Sequence, residues 1–158
     1  MTRELLTSWG DYQNALATLL PLAKNSLVIY DHDLGRLQLE TLKHHEQLTR
    51  LLSAQHHTQL QISVRHTGLL RTQHPRLLKL ASTFGHRLFL KESPASLANL
   101  RDCLIVADAK HALIRFDWEQ ARAKLLLNEP EEVRQYQQRF NDIWAEGGEE
   151  IGASTLGL

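Results

Sequence analysis

The chain has 158 residues, 42% hydrophobic and 23% charged, a composition far from that of a disordered protein and suited to one globular domain with its own core. Its 18 Lys and Arg balance 18 Asp and Glu, so no global field exists to hold a polyanion and nucleic-acid binding would need a local basic patch. A single cysteine, Cys103, excludes an internal disulfide and argues against a thiolate zinc site, and no apolar run approaches the roughly 20 residues of a membrane span.

Met1-Thr2-Arg3-Glu4-Leu5-Leu6 is not followed by an apolar signal region, which makes the cytoplasm the expected compartment. From Trp9 to Ala23, Tyr12, Ala15, Leu16, Leu19, Leu20 and Ala23 fall at helical spacing, with Pro21 weakening the last turn. Ser26 to Asp31 reads as a buried strand ending in the polar knot Asp31-His32-Asp33. Leu37 to Leu52 is amphipathic, its leucines opposed by Glu40, Lys43, His44 and Glu46. Gln59 to Val64 alternates in period two and ends at Arg65-His66. Pro75 suits the first turn of a helix that Gly85 is placed to stop, and Arg87 to Leu90 is a short strand.

Asp102 to Asp108 carries the strongest strand signal. A turn at Ala109-Lys110-His111 joins it to Ala112–Phe116 as a hairpin, and Ala123 to Leu127 suggests a further strand. Pro130-Glu131-Glu132 opens a last helix through Val133, Tyr136, Phe140 and Ile143 to Trp144, closed by Gly147-Gly148, and the segment from Ile151 to Leu158 reads as a mobile tail. Early strands alternating with helices imply parallel pairing, and the hairpin adds antiparallel strands. The expected fold is α/β, a mixed and mainly parallel sheet with helices on both faces.

Leu104 to Asp108 and Phe140-Asn141-Asp142-Ile143-Trp144 resemble the aspartate-bearing strand and the closing helix of the phospholipase D-like superfamily. The resemblance implies one half of that fold over residues 1–158, with an ordered core at about 9–147 and a tail at 148–158. With Asp108 on the superfamily's motif aspartate, Arg101 stands at the nucleophilic histidine and Cys103 at the charge-stabilising lysine. Arg115 and Phe116 then stand at the glycine-serine pair, and Trp118 at the asparagine. A permanently protonated guanidinium cannot attack phosphorus, and a thiol brings no positive charge. The resemblance therefore implies a non-catalytic module, acting through an anionic ligand or a protein partner and completed by a second half, as in a homodimer.

Asp31, His32, Asp33, Arg65, His66 and Asp108 each stand at or beyond a strand's carboxyl end, where open α/β sheets place their ligands. The expected ligand residues are Arg65, His66, Arg101, Asp108 and Arg115, beside a polar pocket of Asp31, His32 and Asp33. An alternative is a divergent metal-assisted phosphodiester hydrolase using Asp31, His32, Asp33 and Asp108. A third reading is nucleic-acid binding through the acid-free segment 65–79, which holds Arg65, Arg71, Arg76 and Lys79 but lacks interleaved aromatics. The adjacent pairs His44-His45 and His56-His57 do not chelate from a helix as residues at i and i+4 do, and read as surface or loop histidines. No cofactor motif or zincin-type spacing occurs, so neither cofactor nor metal is expected. Trp9 and Trp118 mark a binding face if exposed.

Overall fold

The computed structural model describes residues 1–54 and 57–152; His56 and the tail beyond Gly152 fall outside the described residues. Eight strands form one sheet in the order β1-β7-β6-β5-β2-β3-β4-β8. They are β1 (Thr2–Leu6), β2 (Ser26–Asp31), β3 (Gln59–Val64), β4 (Leu88–Glu92), β5 (Cys103–Ala107), β6 (His111–Arg115), β7 (Ala123–Leu127) and β8 (Glu149–Glu150). The helices are α1 (Trp9–Leu19), α2 (Leu42–Ala54), α3 (Leu70–Gln73), α4 (Pro75–Thr83) and α5 (Pro130–Ala145). This is the expected mixed α/β architecture.

The balance of pairing differs from the expectation. Among the described residues only β2 with β3 and β3 with β4 pair in parallel. β5 enters beside β2 antiparallel, and β6, β7 and β1 continue the alternation. The link from β4 to β5 holds only a short 3₁₀ turn at Ala95–Leu97, and no helix carries the chain back for a parallel crossover.

Burial follows the strand alternation and makes a core on each face. Leu27, Ile29, Leu60, Ile62, Ile105 and Leu113 meet the leucines of α1, α2 and α4 on one side. Val28, Tyr30, Leu104, Val106 and Ile114 meet Val133, Phe140 and Ile143 of α5 on the other. Trp144, stacked near Phe140 at 5.7 Å, packs against this second core. β8 places Glu149 and Glu150 beside β4, and Ile151 is buried against the first core.

The helix expected from Leu37 begins only at Leu42. Gln38 adopts a left-handed φ of 51°, and Leu37 and Leu39 are buried from the preceding turn rather than from a helical face. His44 is buried rather than on the surface, its Nδ1 placed 3.2 Å from the Leu37 carbonyl and 3.0 Å from that of Gln38.

α4 has no capping side chain of its own; its cap comes from Glu40. One carboxylate oxygen accepts from the Arg76 N–H at 2.8 Å and the other from the Leu77 N–H at 3.0 Å. Those amides are orphan donors at the positive end of the helix. Glu40→Ala is expected to lower unfolding free energy by about 1–2 kcal/mol, with Glu40→Gln intermediate, as read by urea denaturation.

Candidate strand-end site

The parallel strands β2, β3 and β4, together with β6, deliver their carboxyl ends to one edge of the sheet, and β5 begins there. That edge collects Asp31 at the end of β2 with His32 and Asp33 after it, Arg65 and His66 after β3, Arg101 before β5, and Arg115 at the end of β6. Asp108 is not among them. Because β5 runs antiparallel to β2, its carboxyl end lies at the opposite edge, beyond the β2 ladder of roughly 17 Å. There the Asp108 carboxylate accepts backbone N–H groups of Lys24, Asn25 and Ser26. The four groups of the metal-hydrolase alternative therefore do not converge. Among the described residues no group of three or more His, Cys, Asp or Glu is placed to hold a metal.

Beneath the edge lies a buried ion pair. Arg115 and Asp31 are each 1% exposed, and Arg115 Nη2 donates to Asp31 Oδ1 at 3.0 Å. The other Asp31 oxygen accepts the N–H groups of Asp33 and Leu34, which holds Leu34 in a left-handed turn with φ 69°. The guanidinium lies 5.4 Å from the Trp9 ring and 5.0 Å from that of Tyr12, and 3.4 Å from the Cys103 sulfur. Burial, reinforced by Asp31, pushes the Cys103 thiol up, so it stays protonated and inert. Arg115 is thus placed under the site rather than on its surface.

At the surface, Arg101 is held by two acids. Nε and Nη2 donate to Asp117 at 2.6 and 3.1 Å, and Nη2 also to Glu119 at 3.0 Å. These bonds keep the guanidinium firmly charged and hold Asp117 below the usual carboxylate range. Arg65 is engaged with Ser93, donating to its carbonyl and its hydroxyl. His66 is exposed, its ring 4.5 Å edge-on from that of His32. His32 stacks flat on Trp118, centroids 3.6 Å apart and planes within 3°. Trp118, Asp33, Gly35, Arg36 and Glu119 line a depression of about 730 Å³.

Burial, then the neighbouring His66, lowers the His32 pKa from its ordinary 6.5, while Asp33 and Asp31 oppose the shift and Arg101 adds to it. A depressed histidine costs stability as pH falls, because the unfolded chain takes up the proton first. The His32 contribution is complete above pH 6.5 and declines from there toward the lowered folded value. Thermal melts between about pH 7.5 and about 5.5 are expected to fall more steeply in the wild type than in His32→Asn.

Asp117, Glu119, Arg36 and Gly35 were not singled out from the sequence. A signal for Asp117 existed. Cys103 faces Arg115 across the hairpin, so two residues further out Arg101 meets Asp117. Arg36 and Gly35 carried no such signal, since a left-handed turn at Leu34 brings them round.

A family model matches residues 9–152. The chain belongs to DUF7931, a domain of unknown function. No curated protein matches. Among solved structures, a phospholipase D family member, Nuc from Salmonella typhimurium, is similar at TM-score 0.64 and 14% identity, over 96% of this chain and 98% of that one. NucT from Helicobacter pylori is similar at 0.57 and 13%, with the same coverage. The archaeal chromatin protein TrmBL2, whose structure shows a novel mode of DNA binding, is similar at 0.71 and 12% over 96% of this chain. The chain spans about half (54%) of TrmBL2. This DUF7931 chain therefore has a phospholipase D-like fold. Among its described residues no helix is long and apolar enough to cross a membrane.

Proposed function

We propose that this chain is a non-catalytic phospholipase D-like module that binds an anionic ligand at the strand-end edge. The observation that carries the reading is Arg101. In the superfamily frame it occupies the place of the attacking imidazole, and it stands half exposed with Asp117 and Glu119 fixing its orientation. A guanidinium held in this way can orient an oxyanion through Nη1, which takes no part in those bonds, but it cannot act as nucleophile. Exposed His66 and Arg36 flank it on the same edge. The resemblance adds a second copy packed along this edge as the proposed partner.

Calorimetric titration with inorganic phosphate and with dimethyl phosphate tests the reading. Arg101→Ala is expected to weaken binding roughly tenfold, the worth of one charged hydrogen bond. Bis(4-nitrophenyl) phosphate should not be turned over. Unchanged affinity in Arg101→Ala would remove the anion site, and turnover lost in His66→Ala would remove the non-catalytic reading.

A second reading, nucleic-acid binding along α3 and α4, draws on exposed Arg71 and Lys79 and on the likeness to a DNA-binding chromatin protein. Arg65 and Arg76 contribute less, being bonded to Ser93 and Glu40. Salt-titrated binding to duplex DNA, with and without Arg71→Ala/Lys79→Ala, separates this surface from the strand-end edge.

A further inference from the structure

We infer that the depression beside Trp118 seats a nucleobase, so that the ligand of the strand-end edge is a nucleotide; this rests on the anion-binding reading above. The indole is already in place for stacking. His32 lies flat on it, the Arg101 guanidinium sits 5.5 Å from its ring, and the backbone N–H of Trp118 ties the residue to the Arg101 carbonyl at 2.8 Å. An aromatic side chain held in position before binding loses little freedom when a second ring meets it.

The depression, about 730 Å³, is far larger than a phosphate needs and lies within the range of small-molecule sites. Its lining also says what fills it. Asp33 and Glu119 offer only acceptors. Asp33 Oδ1 takes the Gly35 N–H at 2.9 Å and Glu119 Oε1 takes Arg101, which leaves the second oxygen of each outside those bonds. A simple anion would be repelled from these carboxylates, whereas a base edge rich in N–H groups would be drawn to them. Guanine presents two adjacent donors, N1–H and the N2 amino group, and so matches a carboxylate in pairwise fashion. The phosphate then falls to the cations of the rim, Arg101 and Arg36. Arg36 is steadied by the Trp9 ring, 4.1 Å beneath its guanidinium.

Gly35 sets the floor of this seat. A Cβ there would stand 3.1 Å from Asp33 Oδ1, so a side chain would press on the carboxylate that reads the base.

The test compares guanosine 5′-monophosphate, ribose 5-phosphate and arginine methyl ester by calorimetry on the full chain. The nucleotide is expected to bind roughly tenfold more tightly than ribose 5-phosphate, the worth of one stacked base. Trp118→Leu should erase that difference, Trp118→Phe should restore part of it, and Asp33→Asn should weaken the nucleotide without affecting ribose 5-phosphate. Thermal melts of each variant establish that it is folded. Equal affinity for nucleotide and ribose 5-phosphate, both lost in Arg101→Ala, would overturn the base seat and leave the anion site standing. Binding of neither would overturn both. Trp118-dependent binding of the arginine ester alone would show that the carboxylates serve a cation, which also overturns the proposal.

Discussion

Asp31→Ala should destabilise the fold by about 3–5 kcal/mol, the largest effect expected of any single substitution here. Among the described residues the carboxylate is the one oxygen bonded to Arg115 Nη2, and the buried Nε and Nη1 of that guanidinium have no hydrogen-bond partner. With Asp31 gone, a fixed positive charge would remain at 1% exposure between the Trp9 and Tyr12 rings, with no carboxylate bonded to it. Burial cannot neutralise an arginine as it would a lysine, so the cost cannot be relieved by losing the proton. Asp31→Ala also removes the acceptor that holds the Leu34 N–H at 2.7 Å, and with it the support of a buried leucine in a left-handed turn.

Arg115→Met should cost less. It leaves Asp31 Oδ2 on the Asp33 and Leu34 amides and replaces the guanidinium by a side chain that packs against the same rings. The double variant Asp31→Asn/Arg115→Met should recover much of the loss, because the amide still accepts from Leu34 and no charge remains buried. Urea unfolding of the single and double variants gives the coupling directly. A loss below about 1 kcal/mol in Asp31→Ala would mean that the pair is not buried as described.

The parts of the fold that show in the sequence are those whose side chains obey one period. Ser26–Asp31 and Cys103–Ala107 are strands because their apolar runs face two packed layers, Gln59–Val64 because its apolar residues alternate toward one, and α4 and α5 announce themselves with proline at the first turn. β1 escaped notice because an edge strand needs little burial: of Thr2 to Leu6 only Leu6 is buried, and pairing with β7 supplies the rest.

Strand direction is harder to see than strand position. The sense of β5 is set by the short link after β4, and it alone decides that Asp108 stands on the far edge from Asp31. The basic segment misleads for a related reason. Counting charges cannot show that Arg65 reaches the Ser93 hydroxyl or that Arg76 reaches the Glu40 carbonyl, because those partners lie 28 and 36 residues away. By contrast, the Asp31-His32-Asp33 knot and Arg65-His66 reach one edge as their strand ends imply, since β2 and β3 run parallel in register.

The second large effect belongs to Asp108. One of its oxygens accepts from Asn25 at 2.8 Å and from Ser26 at 3.0 Å, and the other from Lys24 at 3.0 Å. This carboxylate ties the β5–β6 turn to the start of β2. The turn itself is left-handed at both middle residues, φ 56° at Asp108 and 54° at Ala109, and closes with the Lys110 N–H on the Ala107 carbonyl. Asp adopts that conformation at lower cost than Ala does. Asp108→Ala loses both contributions and should cost about 3 kcal/mol, whereas Asp108→Asn keeps the turn preference and an acceptor and should cost about 1 kcal/mol. Ala109→Gly should move the other way, stabilising by up to about 1 kcal/mol by relieving the same left-handed strain. None of the three should change phosphate affinity at the opposite edge. If Asp108→Asn abolished ligand binding in a protein that melts like the wild type, the carboxylate would have to act on the ligand, and its place as a structural tie would have to be abandoned.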